Sequence, residues 1–351
     1  MTRPAQAILV RAVNWLGDAV MTTPALAALR AARPGSRITL LAKPLVAELF
    51  RGHPDVDEVM VYDRDGSHGG ISGRLRIASV LRARRFDSAI LLQNAFDAAL
   101  LAFLARIPDR AGYPTDGRRL LLTRPVPLTP EIMASHEVEY YLSLLAALGV
   151  PRPQSPGLRL HVTGDERNAM SARLSSLGLT PGAPILGINP GATFGAAKRW
   201  FPERFAAVAD ALAEAWGASV VLLGSAKEAP LSDAIEAAMK KKPAKLTGKT
   251  TVREMMALLG ACAFLVTNDS GPMHVAAALG TPLTAIFGPT EWRRTSPWTK
   301  RARLVRAEGI ACAPCKRREC DRAPICMLGV TPQMVIDASL DLYREVADGR
   351  V

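Results

Sequence analysis

The chain has 351 residues, about twice the length of a typical single domain, so two domains are expected. Hydrophobic residues make up 49% and charged residues 22%, a globular balance that excludes a mostly disordered chain. Aromatic residues make up 5%, which favours helices packed on sheets over an aromatic-rich β-sandwich. The net charge of +12 indicates an anionic partner, which could be nucleic acid, an anionic membrane surface or a phosphorylated substrate.

Membrane spans and export signals are not expected. The longest apolar stretches, 256–267 and 98–105, are shorter than the roughly 18–20 residues that cross a bilayer. Arg11 interrupts the first apolar run, and no small-residue cleavage site follows it. We therefore predict a cytoplasmic protein, in which five cysteines do not indicate a disulfide framework.

Short apolar strands alternate with helices in the first half of the sequence. The predicted strands and helices are, in chain order, Ala7–Val13, the helix Ala19–Arg33, Arg37–Ala42, the helix Val46–Arg51, Val56–Tyr62, a helix that follows the polar stretch 63–73 and ends at Arg85, Asp87–Gln93 and the helix Ala98–Ala105. This alternation predicts a parallel, doubly wound sheet.

The same alternation begins again after a Pro- and Gly-rich connection at residues 150–182. The predicted elements are Ile185–Asn189, the helix Pro202–Trp216, Ala218–Leu223, the helices Leu231–Lys242 and Thr251–Ala261, Phe264–Thr267, the helix Met273–Leu279 and Leu283–Phe287. We predict an α/β protein of two Rossmann-like domains, residues 1–165 and 166–351, that face a central cleft. The carboxyl ends of parallel strands are the usual place for a substrate.

The first candidate residue is Asp18, which follows the first predicted strand. An ionised carboxylate at the carboxyl end of a strand could accept a proton from a hydroxyl group. Asp18 could equally cap the helix predicted to start at Ala19, because Asp is favoured at N-caps. The sequence favours neither the general-base nor the helix-cap interpretation of Asp18.

Two later loops join a strand to a helix and carry small or polar residues. In the loop 190–198, backbone N–H groups could approach a phosphate that Lys198 would neutralise, although a solvated turn is the competing interpretation. In 267–274, Ser270 and the Gly271 amide could bind phosphate at a helix N-terminus, with His274 one turn further on. Asp269 taken alone could be a helix cap. The first loop matches neither a dinucleotide nor a Walker motif, and the closely spaced Ser, Asp and His of the second do not indicate a hydrolase triad.

Four closely spaced cysteines lie in and directly after a basic segment, residues 291–325, which carries ten basic and four acidic residues. They are Cys312, Cys315, Cys320 and Cys326. Their spacing makes zinc a candidate, but a structural zinc site usually pairs two short knuckles and only the first is present. Reduced thiols in an ordered loop are the favoured alternative.

Together these motifs resemble the glycosyltransferase family 9 heptosyltransferases nearly from end to end. The matching stretches are Arg11 with Asn14–Asp18 and Pro24, Leu92–Phe96, Ile107–Tyr113, Pro190–Trp200, Gly224–Lys227, Thr267–Ala278 and Phe287–Thr290. The chain departs from the usual family pattern at Val13, where Pro is common, and at Ala323-Pro324, where a His pair is frequent. Neither departure touches the candidate residues.

The resemblance implies a GT-B fold whose first domain binds the acceptor and whose second domain binds the donor ADP-L-glycero-D-manno-heptose. It implies an inverting transfer that needs no metal or other cofactor. The acceptor would be the first heptose of heptosyl-Kdo-lipid A, in lipopolysaccharide core synthesis. The enzyme would be peripheral to the anionic inner face of the inner membrane, in keeping with its basic charge.

The resemblance also assigns roles to residues of this sequence. Asp18 would be the general base. The donor diphosphate would be held by Thr193, Lys198, Ser270, Gly271 and His274, with Asp269 on the heptose hydroxyls and Glu228, near the end of its strand, on the adenosine ribose.

Three alternatives remain. A sibling in the family, such as heptosyltransferase I, would use a different acceptor. A nucleic-acid-binding protein fits the charge, but no zinc-finger, RNA-recognition or helix-turn-helix signature is present, so no nucleic-acid partner is expected. A sugar-nucleotide epimerase would turn over donor without acceptor.

Overall fold

The structure is a computed structural model that describes residues 6–179, 182–321 and 323–351. By its internal contacts the chain divides into two compact units, Met1–His161 and Val162–Val351. Each unit is built on its own parallel β-sheet.

The first unit contains, in its described residues, a six-stranded sheet. The strands are β1 (Ala7–Arg11), β2 (Arg37–Ala42), β3 (Glu58–Val61), β4 (Ser88–Leu91), β5 (Asp109–Gly112) and β6 (Arg124–Pro125). They pair in the order β3-β2-β1-β4-β5-β6, and every pair is parallel. The chain therefore reverses direction across the sheet between β1 and β4, which is the topological switch point of a doubly wound fold.

Helices connect these strands. They are α1 (Leu16–Met21), α2 (Thr23–Ala32), α3 (Pro44–Leu49), α4 (Gly70–Ala83), α5 (Phe96–Leu104), α6 (Pro130–Ala134) and α7 (Glu137–Ala147), with a 3₁₀ helix at Arg118–Leu121. The single helix predicted over 19–33 was wrong: α1 ends at Met21, and α2 begins at Thr23. Pro24 lies in the first turn of α2, where its missing N–H costs no helical hydrogen bond.

The second unit repeats this topology. Its strands are β7 (Ile185–Asn189), β8 (Ser219–Leu222), β9 (Ala244–Lys245), β10 (Phe264–Asn268), β11 (Leu283–Phe287) and β12 (Ala302–Arg306). In the part of this unit that the structure describes, they form one six-stranded parallel sheet in the order β12-β11-β10-β7-β8-β9. The switch point lies between β7 and β10.

Helices also connect the strands of the second unit. They are α8 (Gly164–Ser176), α9 (Pro202–Trp216), α10 (Ala229–Ala238), α11 (Val252–Ala261), α12 (Gly271–Leu279), α13 (Trp292–Thr295), α14 (Ile325–Leu328) and α15 (Pro332–Ala347), with 3₁₀ helices at Ala196–Lys198 and Ala226–Glu228. Helix α8 lies inside the stretch predicted to be a connection. Its signal was present, because Thr163 and Glu166 form a reciprocal capping box.

Each sheet is buried by its helices in a core of its own. Leu9 and Leu91 pack with Ile77 in the first unit, and Val266 packs with Phe205 in the second. Burying one such side chain stabilises the fold by roughly 1.5–3 kcal/mol. The prediction of an α/β protein with two doubly wound parallel sheets is confirmed. None of the helices in the described ranges combines the length and apolar character of a membrane span.

Candidate functional site

A cluster of polar contacts in the second unit lies at its switch point, where β7 and β10 end side by side. Asn189 ends β7, and its Nδ2 donates hydrogen bonds of 2.9 Å to Thr267 Oγ1 and to Ser270 Oγ. Asn268 ends β10, and its Nδ2 donates to the Pro190 carbonyl oxygen at 2.7 Å. These two amides tie both loops together. Neither amide was predicted to have a role, although the Asn residue at the end of each strand could be seen in the sequence.

Lys198 and Asp269 form an ion pair at this edge of the sheet. Lys198 Nζ lies 2.7 Å from Asp269 Oδ2, and the side chains are 13% and 5% exposed. Thr290, which follows β11, donates to the same carboxylate oxygen at 2.6 Å. Removing one partner of so enclosed a pair would leave an uncompensated charge. Three loops therefore converge on one carboxylate.

Asp269 is not a helix cap. The N-cap of α12 is Ser270, and the Asp269 side chain binds Lys198 and Thr290 instead. Ser270 makes no side-chain capping bond, because its hydroxyl faces Asn189. Pro272 has no N–H, and the Met273 N–H donates to the Ser270 carbonyl oxygen at 3.2 Å, so the Gly271 N–H is the donor of this first turn that suits an anion.

Gly271 and His274 lie in the first turn of α12. Gly271 is its first residue, and His274 is one turn in, as predicted. The His274 side chain is on the buried side of the helix, since the residue is 4% exposed. A role for either residue in binding a donor remains a prediction.

The loop that carries Lys198 is short and mostly made of small residues. Thr193 is exposed, Phe194 is half-buried, and the 3₁₀ helix Ala196–Lys198 ends the loop. Lys198 Nζ lies 5.0 Å from the centre of the Phe194 ring. The ammonium is therefore positioned by a carboxylate and by an aromatic ring.

Glu228 lies beyond the end of β8, in the 3₁₀ helix Ala226–Glu228, rather than near the strand end as expected. Its Oε2 accepts hydrogen bonds from Ser225 N–H at 2.7 Å and from Ser225 Oγ at 2.9 Å. The carboxylate also lies close to Gly191, where a Cβ atom would approach Glu228 Oε1 to 2.0 Å. A side chain at 191 would therefore displace the Glu228 carboxylate from its present position.

Asp18 is the third residue of α1 in the first unit, and it is half-buried. The helix-cap interpretation was wrong, because α1 starts at Leu16 and Trp15 occupies the N-cap. A carboxylate in the first turn is stabilised by the helix dipole. Asp18 is thus held at the carboxyl end of β1 without serving as a cap.

A buried cation fixes the loop that leads to Asp18. Arg11 Nη2 donates to Asn14 Oδ1 at 3.0 Å, and its Nη1 donates to the Leu41 carbonyl oxygen at 3.2 Å. Burial lowers the pKa of Arg11 to about 10, so the guanidinium is still charged at neutral pH. Its charge is used to hold loop backbone and Asn14 in place.

A second buried cation of the first unit was missed by the sequence analysis. Arg118 is fully buried, donates to the carbonyl oxygens of Tyr113 (2.8 Å) and Gln93, and donates to Asn94 Oδ1 at 3.2 Å. Burial lowers the pKa of Arg118 to about 10. Like Arg11, it organises the loop at the end of a strand, here β4.

The basic segment contains three of the four clustered cysteines, and the fourth directly follows it. Cys312, Cys315 and Cys320 are exposed, whereas Cys326 is half-buried and burial raises the pKa of its thiol. Arg322, one of the ten basic residues, lies outside the described residues. Among the described residues, no three His, Cys, Asp or Glu side chains are grouped as a metal ion would need. The zinc hypothesis therefore gains no support and stays a prediction.

The second unit thus brings Lys198, Asp269 and Ser270 together at one sheet edge, with Gly271 at the adjoining helix start. Glu228 meets the same region through Gly191. Asp18 belongs to the first unit.

Comparison with known proteins identifies the family. The family model described as Glycosyltransferase family 9 (heptosyltransferase) matches residues 74–325. The lipopolysaccharide heptosyltransferase 2 of Salmonella typhimurium is 34% identical over 352 residues, which cover 96% of this chain and 99% of that protein.

Solved structures give the same result. A glycosyltransferase family 9 protein of Veillonella parvula superposes with a TM-score of 0.89 at 29% identity, covering 98% of this chain and 99% of that one. The ADP-heptose lipopolysaccharide heptosyltransferase II of E. coli superposes with a TM-score of 0.82 at 30% identity, covering 97% and 100%. The expected GT-B fold is confirmed by these matches. The chain belongs to glycosyltransferase family 9, and it is a glycosyltransferase.

Proposed function

We propose that this chain is a heptosyltransferase II. It transfers L-glycero-D-manno-heptose from ADP-heptose, with inversion, to the first heptose of heptosyl-Kdo-lipid A. The observation that carries the proposal is the Lys198 ammonium, held beside the start of α12 at the switch point of the second sheet. The full-length similarity to enzymes named as heptosyltransferase II supports the choice of substrates.

The donor binds to the second unit. Thr193 and Lys198 contact the diphosphate from the loop after β7, while Ser270, Gly271 and His274 contact it from the start of α12. A cation and a helix N-terminus together stabilise the charge that develops on departing ADP, without a metal ion. Asp269 contacts the heptose hydroxyls and keeps Lys198 in position.

Glu228 contacts the adenosine ribose. Its carboxylate lies under the loop after β7, where Gly191 leaves space above it. One oxygen is engaged by Ser225, and the other oxygen is directed toward Gly191. A carboxylate in this position accepts hydrogen bonds from ribose hydroxyl groups, which is how acidic residues recognise ribose in other Rossmann-like domains.

Asp18 acts as the general base. The acceptor hydroxyl oxygen attacks the anomeric carbon, and the bond from that carbon to the diphosphate oxygen breaks with its electron pair leaving on ADP. Asp18 takes the hydroxyl proton and later releases it to water. General-base assistance of this kind typically contributes about 10²–10⁴-fold.

The two domains, residues 1–165 and 166–351, divide this work between acceptor and donor. The acceptor is a phosphorylated lipid, so we place the enzyme in the cytoplasm, peripheral to the inner face of the inner membrane. A net charge of +12 suits that surface, because each basic residue near an anionic membrane contributes about 1 kcal/mol.

The decisive experiment measures ADP release from ADP-heptose by the purified chain. The expected result is release with heptosyl-Kdo-lipid A and none without acceptor. Release with Kdo-lipid A that lacks the first heptose would instead identify a heptosyltransferase I activity. Donor turnover without acceptor would indicate an epimerase or hydrolase, and no turnover with either lipid would contradict the proposal.

A further inference from the structure

The basic cysteine-containing segment packs directly on the loop that carries Lys198. Ala197 N–H donates a 3.0 Å hydrogen bond to the Arg318 carbonyl oxygen. A Cβ atom at Gly195 would lie 2.1 Å from that same oxygen, so the approach requires a glycine at 195. On the other side, Lys316 N–H donates to the Pro289 carbonyl oxygen at 2.8 Å, next to Thr290. The segment is therefore hydrogen-bonded to two of the loops that surround Asp269.

This packing places a second cation beside Lys198. The Arg318 guanidinium carbon lies 5.4 Å from the centre of the Phe194 ring, and Lys198 Nζ lies 5.0 Å from the same centre. A cation over an aromatic face is held by the ring quadrupole. Phe194 thus positions two positive charges at a single loop.

The two cations differ in what balances them. Lys198 is paired with Asp269, whose carboxylate is almost fully enclosed. The neighbouring Arg317 is paired with Asp321 at 2.6 Å. Arg318, by contrast, has no ion-pair partner among the residues that the structure describes, and its side chain is exposed. Its charge is therefore open to an incoming anion.

We propose that Arg318 is an additional binding residue for the donor diphosphate. This inference rests on the proposed function, which places the diphosphate on the loop after β7. A guanidinium presents a planar fork that matches two phosphate oxygens, a geometry that an ammonium cannot offer. Lys198 contacts the leaving group, but Asp269 neutralises much of its positive charge. Arg318 supplies a further positive charge that no carboxylate of the described residues neutralises. In this proposal, the cysteine-containing segment positions Arg318 next to the donor.

The test is calorimetric titration of the full-length protein with ADP and with adenosine. We expect Arg318→Gln to weaken ADP binding about tenfold and to leave adenosine binding unchanged, since adenosine lacks the diphosphate. Arg318→Lys should recover part of the loss. Arg317→Gln, with the same charge change one residue away, is the matched control and should bind ADP within about twofold of the wild type.

A salt series separates ligand binding from a structural role. ADP affinity of the wild type should fall more steeply with NaCl than that of Arg318→Gln, because one ionic contact is missing in the variant. Equal loss of ADP and adenosine affinity would show that Arg318 merely holds the loop, and unchanged ADP affinity would also overturn the proposal. If the wild type binds no ADP, the proposed function itself fails, and this inference fails with it.

Discussion

The two sheets of this protein share one topology and use their cations differently. Counted from the first strand of each unit, both run 3-2-1-4-5-6, with the switch point between strands one and four. In the first unit the cations that hold the loops after these strands, Arg11 and Arg118, are buried and bonded mainly to backbone carbonyl groups. In the second unit, Lys198 pairs with a side chain at the sheet edge, and Arg318 is exposed.

This difference teaches that topology fixes where a site can form but not what it binds. A guanidinium whose N–H groups donate to backbone carbonyl oxygens has few donors left for a ligand, so its effect is to stabilise the loop. A cation balanced by one carboxylate keeps donors available for a ligand. In the proposed function, the first unit contributes a carboxylate, Asp18, whereas the second unit contributes positive charge.

The largest effect is expected from Asp18→Asn. Turnover should fall about 10²–10⁴-fold, because the acceptor proton has no base to receive it. ADP affinity should be unchanged, since the proposed donor site lies in the other unit. Initial rates and ADP titration measure the two quantities, with Glu48→Gln, a half-buried acid paired with Arg51, as the control. Turnover near the wild-type rate would remove Asp18 as the base.

Lys198→Met should reduce turnover about 10²–10³-fold and weaken ADP binding, because the leaving-group charge loses its cation. It should also lower the melting temperature, since Asp269 is left buried without its partner. The double variant Lys198→Met/Asp269→Asn should recover melting temperature but not ADP affinity. Recovery of both properties together would show that the pair is purely structural.

Arg118→Met tests the structural use of cations in the first unit. It should destabilise that unit by about 3 kcal/mol, because carbonyl groups of Tyr113 and Gln93 lose a buried charged donor. Hydrogen exchange of the β4 and β5 amides should accelerate accordingly, while ADP affinity stays at the wild-type value. A loss of ADP affinity without faster exchange would contradict the contrast between the two units.

The smallest effect concerns an ion pair away from the site. Arg253 donates to both carboxylate oxygens of Glu166, which lowers the pKa of Glu166 to about 2. Because the folded-state pKa is depressed, the stabilisation is complete above pH 4.5 and is lost as the pH falls toward 2. Glu166→Gln should cost about 1.5 kcal/mol at pH 7. The cost should vanish near pH 2.

Denaturation of Glu166→Gln and the wild type across that pH range measures this dependence. Glu308→Gln is the control, since Glu308 is 76% exposed and its pair with Arg306 should contribute little. A destabilisation by Glu166→Gln that stays constant down to pH 2 would show that the ion pair is not its source.

Sequence alone determined the elements whose signals are local. β2, β7, β11 and helix α9 have the predicted bounds. Each of these strands is an apolar run that is buried on both faces. Helix α9 starts with Pro at its first position and is followed by Gly217 in the left-handed conformation, and both are residue-level signals.

Other strands form because neighbouring strands supply hydrogen-bond partners for their backbone groups. The strands β5 and β12 contain charged residues and were not predicted. Their backbone groups are paired by β4 and β11, which no local pattern reveals. A short charged segment adopts strand geometry here because an adjacent sheet edge offers hydrogen bonds.

The candidate site also has features that the sequence predicts and features that only the tertiary structure shows. The sequence identified Asp18, Lys198 and Asp269 as residues at the carboxyl ends of strands, since motif and spacing are local properties. That Asp269 pairs with Lys198 rather than capping α12, and that Arg318 reaches the ring of Phe194, was decided by tertiary structure. The physical reason is that a side chain can bond only to groups that lie close to it in space. Residues far apart in sequence come that close only when the sheet has formed.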